Sequence, residues 1–152
     1  MRVHRYSFAL LFWLLTLGTS HAADDLNIVL LDSKTGHGLQ GKLVCISFPP
    51  ENSSEHIVME NRECHRTDSS GSAAFGLPDP VPQKVKVQMG SNGLVACFEP
   101  HEFTVSEAMK LGLVAKNTCG DASTDTTQTG ELILYAHQMS LWETLKARRD
   151  EF

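Results

Sequence analysis

Six residues, Lys84-Val85-Lys86-Val87-Gln88-Met89, constrain this chain more than any others. Val85, Val87 and Met89 fall on one side of an extended backbone; Lys84, Lys86 and Gln88 fall on the other. A period of two belongs to a strand with one buried face and one wet face. A helix would scatter the same residues around its circumference. Just upstream, Thr67-Asp68-Ser69-Ser70-Gly71 is a tight polar turn that feeds a strand over Ser72 to Leu77. Pro78, Pro80 and Pro82 bend the chain before Lys84.

The rest of the chain repeats this rhythm. Leu26 to Leu31 is a nearly continuous apolar run, a buried strand, closed by the turn Asp32-Ser33-Lys34-Thr35-Gly36. Lys42 to Phe48 alternates, with Val44, Ile46 and Phe48 on one face and Leu43, Cys45 and Ser47 on the other. Pro49-Pro50 ends it, because proline cannot donate to a ladder. Ile57 to Arg66 is expected to be a strand that ends near Thr67. Its expected antiparallel partner is Ser72 to Leu77, joined through the Asp68–Gly71 turn. Leu94 to Phe98 and Phe103 to Val105 read as short strands. Ser106 to Lys110 reads as one helical turn capped by Thr104 or Ser106 and ending at Gly112. Gly120 to Gly130 has no apolar residue but Ala122 and is expected to be a mobile loop. Glu131 to Ala136 is the last strand, and Leu141 to Arg149 a short helix. About seven short strands separated by turns point to an all-β antiparallel sandwich with a short C-terminal helix.

The first 22 residues lie outside that domain. Arg2 and Arg5 precede an apolar run from Phe8 to Leu17, and Ser20-His21-Ala22 supplies the small residues of a cleavage site. The run is shorter than the ~20 residues that span a bilayer. A cleaved export signal is the expectation, with cleavage after Ala22 or Ala23; an anchor that stays on is the alternative. No later stretch is apolar enough to cross a membrane. The organisation is therefore a signal peptide over 1–22, a sandwich domain over 23–138 and a helical tail over 139–152. Removing the leader takes away two arginines and no acid, so 13 basic residues fall to 11 against 18 acidic ones, a net charge of −7. An acidic surface disfavours nucleic acid and anionic lipid as partners.

All four cysteines, Cys45, Cys64, Cys97 and Cys119, follow the leader. An even number in an exported chain reads as two disulfides, with three possible connectivities. Cys45–Cys64 with Cys97–Cys119 is the favoured pairing; each closes a loop of about 20 residues, worth roughly 3 kcal/mol in the chain-entropy model. No Cys-x-x-Cys occurs. Cys64-His65 is the one adjacent Cys-His pair; it and His101-Glu102 could contribute to a metal site only if the fold converged them.

The stretch from Leu26 to Asp32, then Thr35-Gly36, Leu39-Gln40-Gly41-Lys42-Leu43-Val44-Cys45-Ile46 and Thr67-Asp68-Ser69-Ser70-Gly71, resembles the carboxypeptidase regulatory-like domain, a prealbumin-like β-sandwich. That family continues Thr-Asp-x-x-Gly-x-Phe; here Ala73 stands at the phenylalanine's place and Phe75 follows two residues later on the same face. The likeness covers about Leu26 to Met89. The remainder, with Cys97 and Cys119 at similar spacing and Leu141-Trp142-Glu143 at the end, resembles the C-terminal half of small exported bacterial proteins with no assigned activity. The resemblance implies a fold and a compartment, secreted or periplasmic, and no reaction.

One enzyme shares the prealbumin-like fold, the hydroxyisourate hydrolase that resembles transthyretin. It ends in Tyr-Arg-Gly-Ser, whereas this chain ends Lys146-Ala147-Arg148-Arg149-Asp150-Glu151-Phe152. No catalytic residue is carried over, since fold alone does not license function. His37, His56, His65, His101 and His137 form neither His-x-His nor His-Glu-x-x-His, and no serine sits in Gly-x-Ser-x-Gly. Glu55, Glu60 and Glu63 read as a solvated face, and Asp24, Asp25 and Asp32 lack the ligand spacing of a calcium loop. No cofactor or metal is expected. Trp142 is the one candidate contact residue. Either it packs the terminal helix over a sandwich edge with Leu141 and Leu145, the preferred reading, or it is an exposed anchor for a partner. The functional expectation is a non-catalytic binding or structural module of the cell envelope or secreted fraction, holding a protein or a glycan. The alternatives are a hydrolase of the hydroxyisourate type with loop-borne residues and a metal-dependent binder.

Overall fold

The structure is a computed structural model that describes residues 25–49, 62–90 and 93–150, with side chains as far as Leu145. In chain order the elements are β1 (Asp25–Asp32), β2 (Leu43–Ser47), β3 (Glu63–Arg66), β4 (Ser72–Gly76), β5 (Lys84–Met89) and β6 (Leu94–Ala96). There follow β7 (Phe98–Glu99), β8 (Glu102–Thr104), α1 (Val105–Leu111), β9 (Leu113–Val114), β10 (Lys116–Asn117), β11 (Glu131–Gln138) and α2 (Leu141–Asp150). The expected leader over 1–22, Asp24, Glu55, His56, Glu60 and the first half of the strand expected over Ile57 to Arg66 lie outside the described residues.

Two sheets face each other. One runs β4-β1-β11-β6, with β9 also on β11; the other runs β3-β2-β5-β8. A small pair, β10-β7, stands beside them. The inward residues of the period-two strands make the core: Leu26, Ile28 and Leu30 of β1, Leu132 and Leu134 of β11, Val44 and Ile46 of β2, and Val85 and Val87 of β5, all buried. Phe75 and Phe103 fill the space between them. Burying each such side chain contributes ~1.5–3 kcal/mol. The all-β sandwich with a C-terminal helix is therefore the observed class.

Its ladder is mixed, not purely antiparallel. β1 and β11 pair in parallel from Asn27 opposite Glu131 to Asp32 opposite Ala136. The first and last strands of the sandwich thus meet in the middle of one sheet. A strand covered on both faces can be apolar at every position. That is how Leu132, Ile133, Leu134, Tyr135 and Ala136 are all buried. On the outer face Ile133, Tyr135 and Cys97 form a second small core, covered by Ala122. The segment expected to be a mobile loop is tied down there. Asn117 Nδ2 donates to Ser33 O at 2.7 Å and to Ala122 O at 2.9 Å. Thr127 Oγ1 donates to Leu111 O at 3.0 Å. Side-chain-to-backbone bonds, which leave no apolar pattern in the sequence, hold the segment together with the one apolar contact of Ala122.

The expected hairpin across Asp68–Gly71 does not form. β3 pairs with β2, whereas β4 pairs with β1, so the turn carries the chain from one sheet to the other. The turn is as tight as its residues suggest. Asp68 Oδ1 accepts from Ser70 N (2.8 Å), Ser72 N (3.0 Å) and Ser70 Oγ (2.7 Å). What decides the pairing is the exit, where Gly71 O accepts from Leu30 N at 2.8 Å and commits the chain to β1.

The β1–β2 link crosses between the same sheets beside it, and the two crossings bond to each other. Thr67 N donates to Lys42 O at 2.9 Å and Gly41 N to Thr67 O at 2.8 Å. Lys42 N donates to Thr67 Oγ1 at 2.9 Å, and that hydroxyl donates onward to Leu39 O. Buried Thr67 thereby satisfies backbone groups of a link that lies 25 residues away in sequence.

Helix α1 matches its expected turn. Thr104 holds the N-cap position without a side-chain cap bond, and Gly112, at φ 72°, ends it. Helix α2 starts with a reciprocal cap. Glu143 N donates to Ser140 Oγ at 3.2 Å, and Ser140 N donates to Glu143 Oε2 at 2.6 Å.

Candidate functional site

The alternation that makes β5 a strand also leaves it half-partnered. On one side β2 follows it from Lys86 to Met89. On the other side β8 pairs only with Lys84, Val85 and Lys86, and the last bond is from Val87 N to His101 O at 2.9 Å. Beyond that point the neighbouring chain turns away through Pro100 into β7. A groove of about 680 Å³ opens there. Leu43 and Met89 give it apolar surface over the buried ring of Phe98; Arg62, Lys86 and His101 give it polar nitrogen. The His101 ring stands edge-on to Phe98, 5.0 Å between centroids, so both its backbone and its ring are held.

The cations around this sheet divide into two sets. Lys84 pairs with Glu102 at 2.6 Å, Arg66 Nη1 donates to Gly41 O at 2.9 Å, and Lys42 donates to Gln138. Arg62 and Lys86, which line the groove, pair with no other described residue. In a chain of net charge −5 this is a local reversal of sign.

The cysteines pair as Cys45–Cys64 and Cys97–Cys119, with none free. Cys64-His65 is accordingly no thiolate metal pair. His65 has structural work instead. Its ring stacks on Phe75 at 4.7 Å, Nδ1 contacts Ala74 O at 2.6 Å, and Nε2 contacts Glu63 at 2.9 Å. It therefore bridges β3 to β4, the strands that share no ladder. Among the described residues no three His, Cys, Asp or Glu side chains gather around one point.

The remaining candidates disperse. Asp32 accepts from Thr35 N at 2.8 Å, Thr35 Oγ1 at 2.9 Å and Lys34 N at 3.1 Å. Burial raises its carboxyl, but the Thr35 and Lys34 bonds outweigh burial and hold it below the usual value. Asp68 is held low by Ser70 Oγ first and by the Ser72 and Ser70 amides after it. Glu143 is drawn down to about 2 by the Ser140 amide, then the Ser140 side chain, then His137, whose Nε2 stands 3.3 Å away. These are turn and cap carboxylates, each saturated by its own loop.

Trp142 does not pack on a sandwich edge as preferred from sequence. It is 82% exposed, beside Leu141 at 83% and Leu145 at 58%. The cap at Ser140 and the His137–Glu143 contact fasten the start of α2, and these three side chains stand in solvent. In the sequence Lys86 reads only as part of a wet face and His101 only as a metal-site candidate with Glu102; Arg62 carries no signal of its own. The signal available was the Pro100-His101 step, which ends one strand beside the still-running β5.

No family model matches the chain, and no curated protein or solved structure matches it. Among the described residues no helix is long and apolar enough to cross a membrane.

Proposed function

We propose that this chain is an exported, non-catalytic binding module whose rigid platform is a disulfide-clamped β-sandwich. The observation that carries the reading is the placement of the two disulfides. One staples β2 to β3 in the second sheet, and the other fastens the 117–122 segment over the outer face of the first. Such clamps persist in an oxidising compartment, where the Arg2-to-Ala22 leader would deliver the chain. The platform then presents an open groove at β5. The likeness to the carboxypeptidase regulatory-like domain belongs to the same reading: the two turns that carry it, around Gly38–Gly41 and Thr67–Gly71, are the ones that bond to each other.

The test is expression of the full chain with fractionation, followed by binding of the purified mature protein to envelope or secreted material. The expected result is a cleaved chain outside the cytoplasm that binds saturably and turns over no small molecule. Retention of an uncleaved, reduced chain in the cytoplasm, or turnover of a hydroxyisourate-type substrate, overturns it.

A further inference from the structure

We propose that the groove beside β5 binds a small amphipathic organic anion: an aromatic or aliphatic body bearing one carboxylate, sulfonate or phosphate head. This names the ligand class of the module proposed above and rests on that reading.

The groove's dimensions and lining select the class. Its volume of about 680 Å³ is in the range of small-molecule sites, which are largely apolar with a few convergent polar groups. Half-buried Leu43 and Met89 offer apolar surface on which an inorganic anion would gain nothing, above the buried ring of Phe98. Lys86 and Arg62 offer positive charge on the same groove, where the neighbouring cations Lys84, Arg66 and Lys42 are already engaged. Glu102, opposite Lys86 across the β5–β8 ladder, already bonds Lys84, so a neutral apolar ligand would cover Lys86 and Arg62 without bringing either an ion-pair partner, which costs binding energy. An anionic head removes that cost and gains charge-assisted hydrogen bonds. His101, fixed by Phe98 and by the Val87 bond, adds a ring edge at the same rim.

An extended peptide fits less well. Strand addition needs a free edge several residues long. On the β8 side, β5 runs only two residues past Val87, to Met89.

The test uses the disulfide-intact mature protein with anilinonaphthalene sulfonate as the probe and its uncharged parent, phenylnaphthylamine, as the comparison. Binding is read by titration and by backbone amide shift mapping. Lys86→Glu is the groove variant, and Lys110→Glu, at an exposed position of α1, is the charge-matched control. The expected result is shifts clustered at Lys86–Met89, Phe98 and His101, and an affinity at least about tenfold better for the sulfonate than for its parent. Lys86→Glu removes that preference and Lys110→Glu keeps it. Equal binding of both probes, equal effects of the two variants, shifts centred on Trp142, or no binding overturns the proposal. Each of those outcomes leaves the export, cleavage and disulfides of the module untouched, so failure of the ligand class and failure of the module are distinguishable.

Discussion

Gly38 and Gly71 meet backbone to backbone where the two inter-sheet links cross. A Cβ built on Gly71 would stand 2.5 Å from Leu30 O and 2.8 Å from Gly38 Cα, and one on Gly38 would stand 2.0 Å from Ser70 O. Gly71 also has φ 86°, in the region that side chains disfavour. The contact is backbone against backbone, so no side chain can move aside to relieve it. Gly71→Ala is expected to destabilise the sandwich by more than ~2 kcal/mol, from φ strain and displaced backbone together. Gly41→Ala is the comparison. Gly41 has φ 71° but nothing within 4 Å, so it should cost only the strain, about 1 kcal/mol. Urea unfolding of the oxidised protein checks both; equal effects would remove the close approach as the cause.

Removing the Cys97–Cys119 bridge, as Cys97→Ser with Cys119→Ser, should loosen one region selectively. Loop-closure entropy for a separation of 22 residues predicts a loss of roughly 3 kcal/mol. Hydrogen exchange should rise at Ile133 and Tyr135, beneath the released segment, before it rises at Val44 and Ile46. Removing Cys45–Cys64 should reverse that order.

Tyr135 is buried in the small outer core, and its hydroxyl has no hydrogen-bond partner among the described residues. An unsatisfied buried hydroxyl costs free energy that a ring without it avoids. Tyr135→Phe should therefore be neutral or stabilise by up to about 1 kcal/mol in thermal or urea unfolding. A loss larger than about 1 kcal/mol would mean that the hydroxyl has a partner.

The start of α2 should respond to acid. The Glu143 carboxyl is held at about 2, against an ordinary 4.5, by the Ser140 amide, the Ser140 side chain and His137. A depressed carboxyl stabilises the folded form above its ordinary value and loses that contribution as pH falls through the folded one. The cap should thus persist at pH 4.5 and be lost toward pH 2. The indole resonance of Trp142, next to the cap, reports it. In Glu143→Gln the same resonance should be independent of pH over that window; a transition centred at 4.5 would contradict the depressed value.

Local chemistry explains what was legible beforehand. Lys84–Met89 and Lys42–Phe48 alternate, and Gly112 stops α1, so these elements could be read residue by residue. Sequence leaves three disulfide connectivities open; the favoured one, with two loops of about 20 residues, is the one observed. Pairing partners were harder, because Leu30 N reaching Gly71 O and Asn27 lying beside Glu131 are long-range choices that leave no local pattern. The 120–130 segment reads as mobile because polar bonds, with Ala122 as its one apolar anchor, hold it. The groove draws Leu43, Arg62, Lys86, Met89, Phe98 and His101 from β2, the approach to β3, β5, β7 and the step into β8. No one of those residues carries the site alone. Trp142 reads as packing because its helix offers Leu141 and Leu145 beside it, yet all three stand exposed, and α2 is fastened through polar bonds at Ser140, Glu143 and His137.

The most direct measurement is the intact mass and disulfide map of the chain recovered from outside the cytoplasm, without reduction. The expected species begins at Ala23 or Asp24, lacks the four thiol hydrogens and yields linked peptides joining Cys45 to Cys64 and Cys97 to Cys119. A chain that starts at Met1, with all four thiols free, would contradict an exported, disulfide-clamped platform.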